Sequence, residues 1–341
     1  MLLIFWGGAF ILFLFFFKNS FPQIEQQYKA STPQEKARIE FKLGYEAYEK
    51  NNIPQALWHY SRAIELNPNH ANAHFNRGTL LNDIGHYQQA LEDFNRAIAL
   101  NPKDSSFYNN RSYSKNNLGD SKGALADATK AIELNPDDPS PYTNRGIAKS
   151  DLKDYKGALE DYNRSLQLRP NDSHTYTDRG NVKRELGDLQ GALQDHNKAI
   201  KLKPNNAGAY LNRALVKDDL KDFAGAIADY DRALSISPRF TMAYNDRGFT
   251  KIHMGRYQEA IADFNAAISL RPSYALAYAN RGFAKVSLGL DKEGLADYDR
   301  ALSLDDTLEE AYRYRAEVKK KLGIVKGAEQ DLARANQLAG K

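Results

Sequence analysis

An all-α chain of nine stacked helix–turn–helix repeats is the fold class this sequence predicts. Three observations predict it. Pro68, Pro102, Pro136, Pro170, Pro204, Pro238 and Pro272 recur every 34 residues without a slip. Glycine and alanine recur at fixed places between them. Leu and Ile recur at spacings of three, four and seven, which marks amphipathic helices. A fixed period of a few tens of residues is the sequence signature of a repeat array.

With Pro68 at position 32, the repeats begin at Ala37, Ala71, Ser105, Pro139, Ser173, Ala207, Thr241, Ala275 and Glu309. Position 8 is Gly44, Gly78, Gly146, Gly180, Gly248 and Gly282, and small residues replace it elsewhere. Position 20 is Ala in all but Gly294, and position 27 is Ala in all but Ser165. These small residues let the two helices of a repeat approach. Leu or Ile at positions 14, 21, 28 and 30 is expected to fill the space between them. Leu186-Gly187-Asp188 and Leu152-Lys153-Asp154 supply the turn and the cap of the second helix. The Asn-Pro or Arg-Pro pair at positions 31 and 32 stops it, because proline restricts the residue before it and cannot continue a helix. At Asp306 the spacing persists without the ring.

These columns resemble the tetratricopeptide repeat over residues 37–341. The resemblance implies antiparallel helix pairs stacked into a right-handed superhelical solenoid, with nine repeats making about one turn. Two columns depart from the family. Members usually carry Leu at position 7 and often Tyr at position 11, where this chain has Arg and Lys.

Residues 1–17, MLLIFWGGAFILFLFFF, carry no charge. As a helix they would span roughly 25 Å, the short end of a membrane crossing. A cleaved signal peptide is the competing reading, but no Lys or Arg precedes the apolar run and Lys18-Asn19-Ser20-Phe21-Pro22 is a poor cleavage context. A single transmembrane anchor is expected at 1–17, a linker at 18–32 and the repeats over 33–341. Lys18, Lys29, Lys36, Arg38 and Lys42 follow the apolar run, so the positive-inside rule favours repeats on the cytoplasmic, or in a plastid the stromal, side. Thr32-Pro33-Gln34-Glu35 reads as a capping box with Pro at the first helical position, so the first helix begins early.

Net charge is +4, from 47 basic and 43 acidic residues, a mixed surface with no strong pull toward nucleic acid. There is no cysteine, which excludes disulfides, thiolate metal sites and a Cys nucleophile.

Position 7 is Arg from Arg77 to Arg315 and position 23 is Asp from Asp93 to Asp331, in repeats two to nine. The first repeat lacks both, having Leu43 and His59. Two columns that change together suggest contact. Lys at position 11, from Lys115 to Lys319, lies one turn from the Arg on the same face. An internal ion pair is expected, since an Arg at a place normally packed between helices needs a partner. The rival is a basic ladder for RNA or a nucleoprotein, which would show steep salt dependence.

In this family the first helix lines the concave groove, and positions 2, 5, 6, 9, 12 and 13 face a bound peptide. Position 6 here is Asn76, Asn110, Asn144, Asp178, Asn212, Asp246 and Asn280. These are the candidate peptide-binding residues, and they resemble the asparagine ladder of some long repeat superhelices. An amide both donates and accepts, so it can grip a peptide backbone of any sequence. The family's carboxylate clamp is absent, because position 6 is never Arg. Position 9 is often apolar, as at Tyr45, Tyr113, Ile147, Leu215, Phe249 and Phe283. The groove is therefore expected to suit an extended or helical protein segment.

No phosphate-binding loop and no His-Glu-x-x-His occurs, and His70 with His74 lacks a third ligand. No catalytic residue, cofactor, metal or small-molecule substrate is expected, and a monomer is the default. The expected function is a membrane-tethered scaffold for protein or peptide clients. Alternatives are the RNA-binding array or a secreted repeat protein freed by signal cleavage.

Overall fold

A computed structural model describes Tyr28 and residues 31–340. The expected anchor at 1–17 and most of the linker lie outside the described residues. Among the described residues no helix is long and apolar enough to cross a membrane. Contacts divide the chain into two compact units, on either side of the Arg169–Pro170 bond. The first holds α1 (Pro33–Glu49), α2 (Ile53–Leu66), α3 (Ala71–Asp83), α4 (Tyr87–Leu100), α5 (Ser105–Asn117), α6 (Ser121–Leu134), α7 (Pro139–Asp151) and α8 (Tyr155–Leu168). The second holds α9 (Ser173–Glu185), α10 (Leu189–Leu202), α11 (Ala207–Asp219), α12 (Phe223–Ile236), α13 (Thr241–His253), α14 (Tyr257–Leu270), α15 (Ala275–Ser287), α16 (Asp291–Leu304), α17 (Glu309–Lys321) and α18 (Val325–Ala339). Odd-numbered helices are the first of each repeat and even-numbered the second. No strand occurs among the described residues.

The helix starts follow the sequence. Thr32 accepts from the Glu35 amide, Glu35 accepts from the Thr32 amide at 2.8 Å, and Pro33 takes the first helical position. Asp120, Asp154, Asp188 and Asp222 cap second helices by accepting from Gly123, Gly157, Gly191 and Gly225 at 2.9, 3.0, 2.9 and 3.0 Å. A Cβ on those glycines would overlap the capping carboxylate.

The turn between the two helices of each repeat places position 15 at positive φ. Glycine holds it six times, with φ between 71° and 81°, whereas Asn51, Lys153 and Lys221 take φ of 55°, 64° and 62°. The left-handed residue closes the first helix, as where the His86 amide reaches back to the Leu81 carbonyl at 2.7 Å. This turn corrects one expectation. Ile84, Leu118, Leu152, Leu186 and Leu288 at position 14 do not pack between helices but are 41–44% exposed. Each is the C-cap residue, and the reversal that follows leaves its side chain at the solvent edge.

Second helices α2 to α16 end at position 30 whether or not proline follows. Asn67, Asn101 and Asn135 sit in extended backbone and accept from the amide two residues on, at 3.1, 3.3 and 3.3 Å. Asp305 does the same with Thr307 at 2.9 Å, and α16 stops at Leu304 although position 306 is Asp. A side-chain turn of this kind is an alternative to helix for Asn and Asp.

The core is layered by size. Position-20 alanines from Ala56 to Ala260 are wholly buried. Position 24 supplies Tyr60, Phe94, Tyr162 and Phe264, each over the position-8 glycine of its own repeat. A Cβ on Gly44, Gly78, Gly146 or Gly248 would stand 2.7, 2.9, 2.6 and 2.8 Å from those rings, so a side chain at these four positions would have to push the ring aside. Each ring buried this way contributes about 2 kcal/mol.

Candidate functional site

The charged columns are satisfied inside the fold. Arg77, Arg111, Arg145, Arg179, Arg213, Arg247, Arg281 and Arg315 each donate Nε and Nη2 to the Asp sixteen residues on, at 2.5–3.1 Å. Those Asp residues, on second helices, are only 3–5% exposed. Lys115, Lys149, Lys183, Lys217, Lys251, Lys285 and Lys319 reach the same carboxylates at 2.7–2.9 Å. The result is a repeated Arg–Asp–Lys triad joining the two helices of a repeat, and the expected internal pairing is what the structure shows.

Two further contacts complete the Arg. From Arg111 onward, the guanidinium lies 5.3–5.7 Å from the ring centroid of the position-4 Tyr. Its Nη1 reaches back to position 25 of the preceding repeat: Arg77 to Ser61, Arg111 to Asn95, Arg213 to Asn197, Arg247 to Asp231, Arg281 to Asn265 and Arg315 to Asp299, at 2.5–3.1 Å. One side chain thus ties its own repeat shut and clips it to its neighbour. A basic ladder for RNA would need these same groups, and they are already engaged.

The first two repeats solve the problem differently. In the first, Glu40 at position 4 meets His59 at position 23, with Oε2 to Nδ1 at 2.7 Å, and both are buried. Acid and base have exchanged helices. In the second, which has Leu81 at position 11, His74 at position 4 takes the third seat on Asp93 at 2.9 Å. Sequence reasoning missed both. The available signal was that Glu40 and His74 interrupt the Tyr column where the Asp and Lys columns also break.

The position-6 side chains lie on the first helices and are buried or half-buried. In the first unit, Asn76 donates to the Tyr60 hydroxyl at 3.3 Å. Asn110 donates to the Ser106 carbonyl at 3.0 Å, and Asn144 donates to Asn109 Oδ1 at 2.9 Å. Position 12 braces the next rung. Asn82 and Asn116 donate to the main-chain oxygens of Asn110 and Asn144 at 3.3 and 2.9 Å. In the second unit, Asn280 donates to Asn245 Oδ1 at 3.1 Å, and Asn245 donates to Asp246 Oδ1 at 3.0 Å. Asn212 is half-buried on α11. Burial, with the charge of Asp172 second, pushes the Asp178 carboxyl up to about 7. Near neutral pH this rung is protonated part of the time and, like an amide, both donates and accepts. Asn76, Asn144 and Asn280 are therefore held by the preceding repeat and Asn110 by its own helix, and Asn144 reaches the main-chain oxygen of Asn109 as well, at 3.3 Å.

Beside the rungs stand exposed apolar side chains on the same helices. They are Tyr113 and Phe249 at position 9, and Met242 and Leu276 at position 2, 41–50% exposed. Three further histidines have defined places. His70 accepts from the Ala73 amide to cap α3, and His174 meets Lys203 at 3.0 Å. His196 takes the aromatic place over Gly180, is fully buried, and has neither ring nitrogen hydrogen-bonded. Burial pushes its pKa down to about 4. Among the described residues no three His, Asp or Glu gather as a metal site.

Helix pairs of this length, with glycine under an aromatic at positions 8 and 24, define a helical-repeat interaction fold. Tetratricopeptide repeat models match residues 43–109, 105–138, 139–172 and 207–240, and a TPR repeat model matches 180–217 and 252–289. The chain is a tetratricopeptide repeat protein. An uncharacterized protein of Methanocaldococcus jannaschii is 38% identical over 53 residues, which is 16% of this chain and 62% of that one. The chain thus spans less than two thirds of that relative's length. Among solved structures, the APC/C hetero-tetramer Cut9–Hcn1 matches with TM-score 0.62 at 14% identity, over 89% of this chain and 74% of that one. A tetratricopeptide repeat protein from Parabacteroides merdae matches with TM-score 0.56 at 22% identity, over 76% and 98%. At these identities the likeness is one of fold.

Proposed function

We propose that the chain is a protein-interaction scaffold that holds client polypeptide segments along the first-helix face of its repeats. The observation that carries this reading is the pairing of exposed Tyr113, Met242, Phe249 and Leu276 with the position-6 amide and carboxyl rungs on the same helices. Apolar groups supply burial and the rungs supply hydrogen bonds to a peptide backbone, the combination an extended or helical segment requires. The charged columns support it by subtraction, since they are consumed in the Arg–Asp–Lys triads. The uncharged run at residues 1–17 adds a membrane tether, and the basic residues after it put the repeats on the cytoplasmic or stromal side. A tethered scaffold of this kind suits the assembly of a membrane complex.

The test is affinity capture with the full chain from detergent-solubilised membranes. It is compared with a variant carrying Asn212→Ala, Met242→Ser, Phe249→Ser and Leu276→Ser. One partner set should be lost selectively. Identical partner sets from both proteins would refute the reading. A reporter active only in the cytoplasm, fused after Lys341, should be active; silence on stable protein would refute the orientation.

A further inference from the structure

One patch of the first-helix face in the second unit differs in its chemistry. At position 12, Asn82 and Asn116 give a proton to the main-chain oxygen of the next position 6. The sixth repeat has Asp218 there, on α11. An ionised carboxylate has no proton to give, and the matching carbonyl, that of Asp246, is taken by the Thr250 hydroxyl at 3.1 Å. Asp218 Oδ1 is buried without a hydrogen-bond partner, and so is the hydroxyl of Tyr230, a side chain on α12 with no exposed surface.

Asp218, Asp246 and Tyr230 are near enough for their charges to act on one another. Burial raises the pKa of each; the negative charge of Asp218 raises that of Asp246, the charges of Asp246 and then Asp218 raise that of Tyr230, and the Thr250 hydroxyl offsets part of this at Asp218 and Tyr230. The cations around them are committed. Arg184 on α9 holds Asp219 through two bonds at 2.5 and 3.2 Å. Arg271 stacks on Tyr274, 5.5 Å from the ring centroid. His253 on α13 stands 3.6 Å from Asp218 Oδ2, beyond a hydrogen bond, and its ring packs on Phe249 at 4.6 Å. Asn245 satisfies one oxygen of Asp246. Carboxylates therefore outnumber available positive charge where Phe249 offers an apolar edge.

We infer that this patch is a subsite for a basic side chain, Lys or Arg, of the client segment, seated between Asp218 and Asp246. The inference rests on the first-helix face being the client-binding face. The cation donates to both carboxylates, and its aliphatic stem lies along Phe249. The loosely engaged His253 ring moves aside as it enters. The Asp218 carboxylate then turns its unpaired oxygen to the ligand, with the Tyr230 hydroxyl beneath.

Fluorescence anisotropy on the full chain in detergent tests this. The probes are labelled twelve-residue peptides of Ala, Ser and Leu carrying one central Arg, Lys or Gln. Arg and Lys peptides should bind about tenfold tighter than the Gln peptide, with the preference shrinking as salt rises. Asp218→Asn, whose amide can donate as Asn116 does, should cut the preference to about twofold, and Asp246→Asn should act in the same direction. A full preference retained in both variants overturns the subsite. Equal binding of all peptides overturns the subsite and leaves the client-binding face standing. No binding of any peptide overturns both.

Discussion

Replacing Asp229 by alanine is expected to destabilise the sixth repeat by about 3 kcal/mol. The Asp229 side chain is 6% exposed and accepts from Arg213 Nε at 2.8 Å, Arg213 Nη2 at 2.6 Å and Lys217 Nζ at 2.7 Å. Removing one partner of a buried pair costs about 3–5 kcal/mol, because the other is left desolvated and unpaired. Here the stranded cations are 19% and 20% exposed, so water recovers part of the loss and the low end applies. Arg213→Leu alone should cost about 2 kcal/mol, since Lys217 still holds the carboxylate. Arg213→Leu with Asp229→Ala should return to within about 1.5 kcal/mol of the parent. Leucine at position 7 suits a site between helices, and Lys217 can extend its head to water. A repeat array need not unfold in one step, so urea unfolding by circular dichroism should be read with hydrogen exchange at the α11 and α12 amides. The cycle should give a coupling of about 1.5 kcal/mol or more. Additivity of the two single changes within about 0.5 kcal/mol would refute the pairing.

Two other perturbations follow from the fold. His196 is neutral when folded, with its pKa pushed down to about 4 by burial, while an unfolded histidine titrates near 6.5. The unfolded state therefore binds this proton first, and the contribution of His196 is full above about 6.5 and falls toward pH 4 by about 3 kcal/mol, while Asp178, raised to about 7, acts in the opposite sense. His196→Phe, placing over Gly180 the ring that Phe264 places over Gly248, should therefore gain on the parent between pH 7 and pH 4 by about 3 kcal/mol in urea unfolding, and an unchanged gap between the two proteins would refute the assignment. Lys153→Gly and Lys221→Gly remove side chains from φ of 64° and 62°, and each should raise stability by about 0.5–1 kcal/mol in thermal unfolding.

The repeat was legible in the sequence because its determinants are local and copied. Glycine at position 15, aspartate at position 16 and alanine at position 20 act within one turn or one helix pair, so each copy confirms the others. The Arg–Asp pairing was legible because the first repeat loses both columns at once. Its compensation by Glu40 and His59 was not, since it occurs once and exchanges acid and base between helices. The position-14 leucines were misplaced for a physical reason. They continue the apolar spacing of the first helix, but the left-handed residue after them turns the chain before their side chains can be covered. The rungs at position 6 were legible as a column. The bonds of Asn76, Asn144 and Asn280 to the preceding repeat, and the uncompensated Asp218 and Tyr230, depend on contacts between repeats that no single 34-residue window contains.

The central claim is that clients lie on the first-helix face and not on the second-helix face. Site-specific photo-crosslinking from the full chain in solubilised membranes tests it most directly. Benzoylphenylalanine would be placed singly at Tyr113, Met242 and Phe249, exposed on first helices, and at Lys122, Gln190 and Lys292, exposed on second helices. Adducts to a client are predicted from the first three positions and not from the last three. Adducts confined to Lys122, Gln190 and Lys292, or equal from both sets, would contradict it.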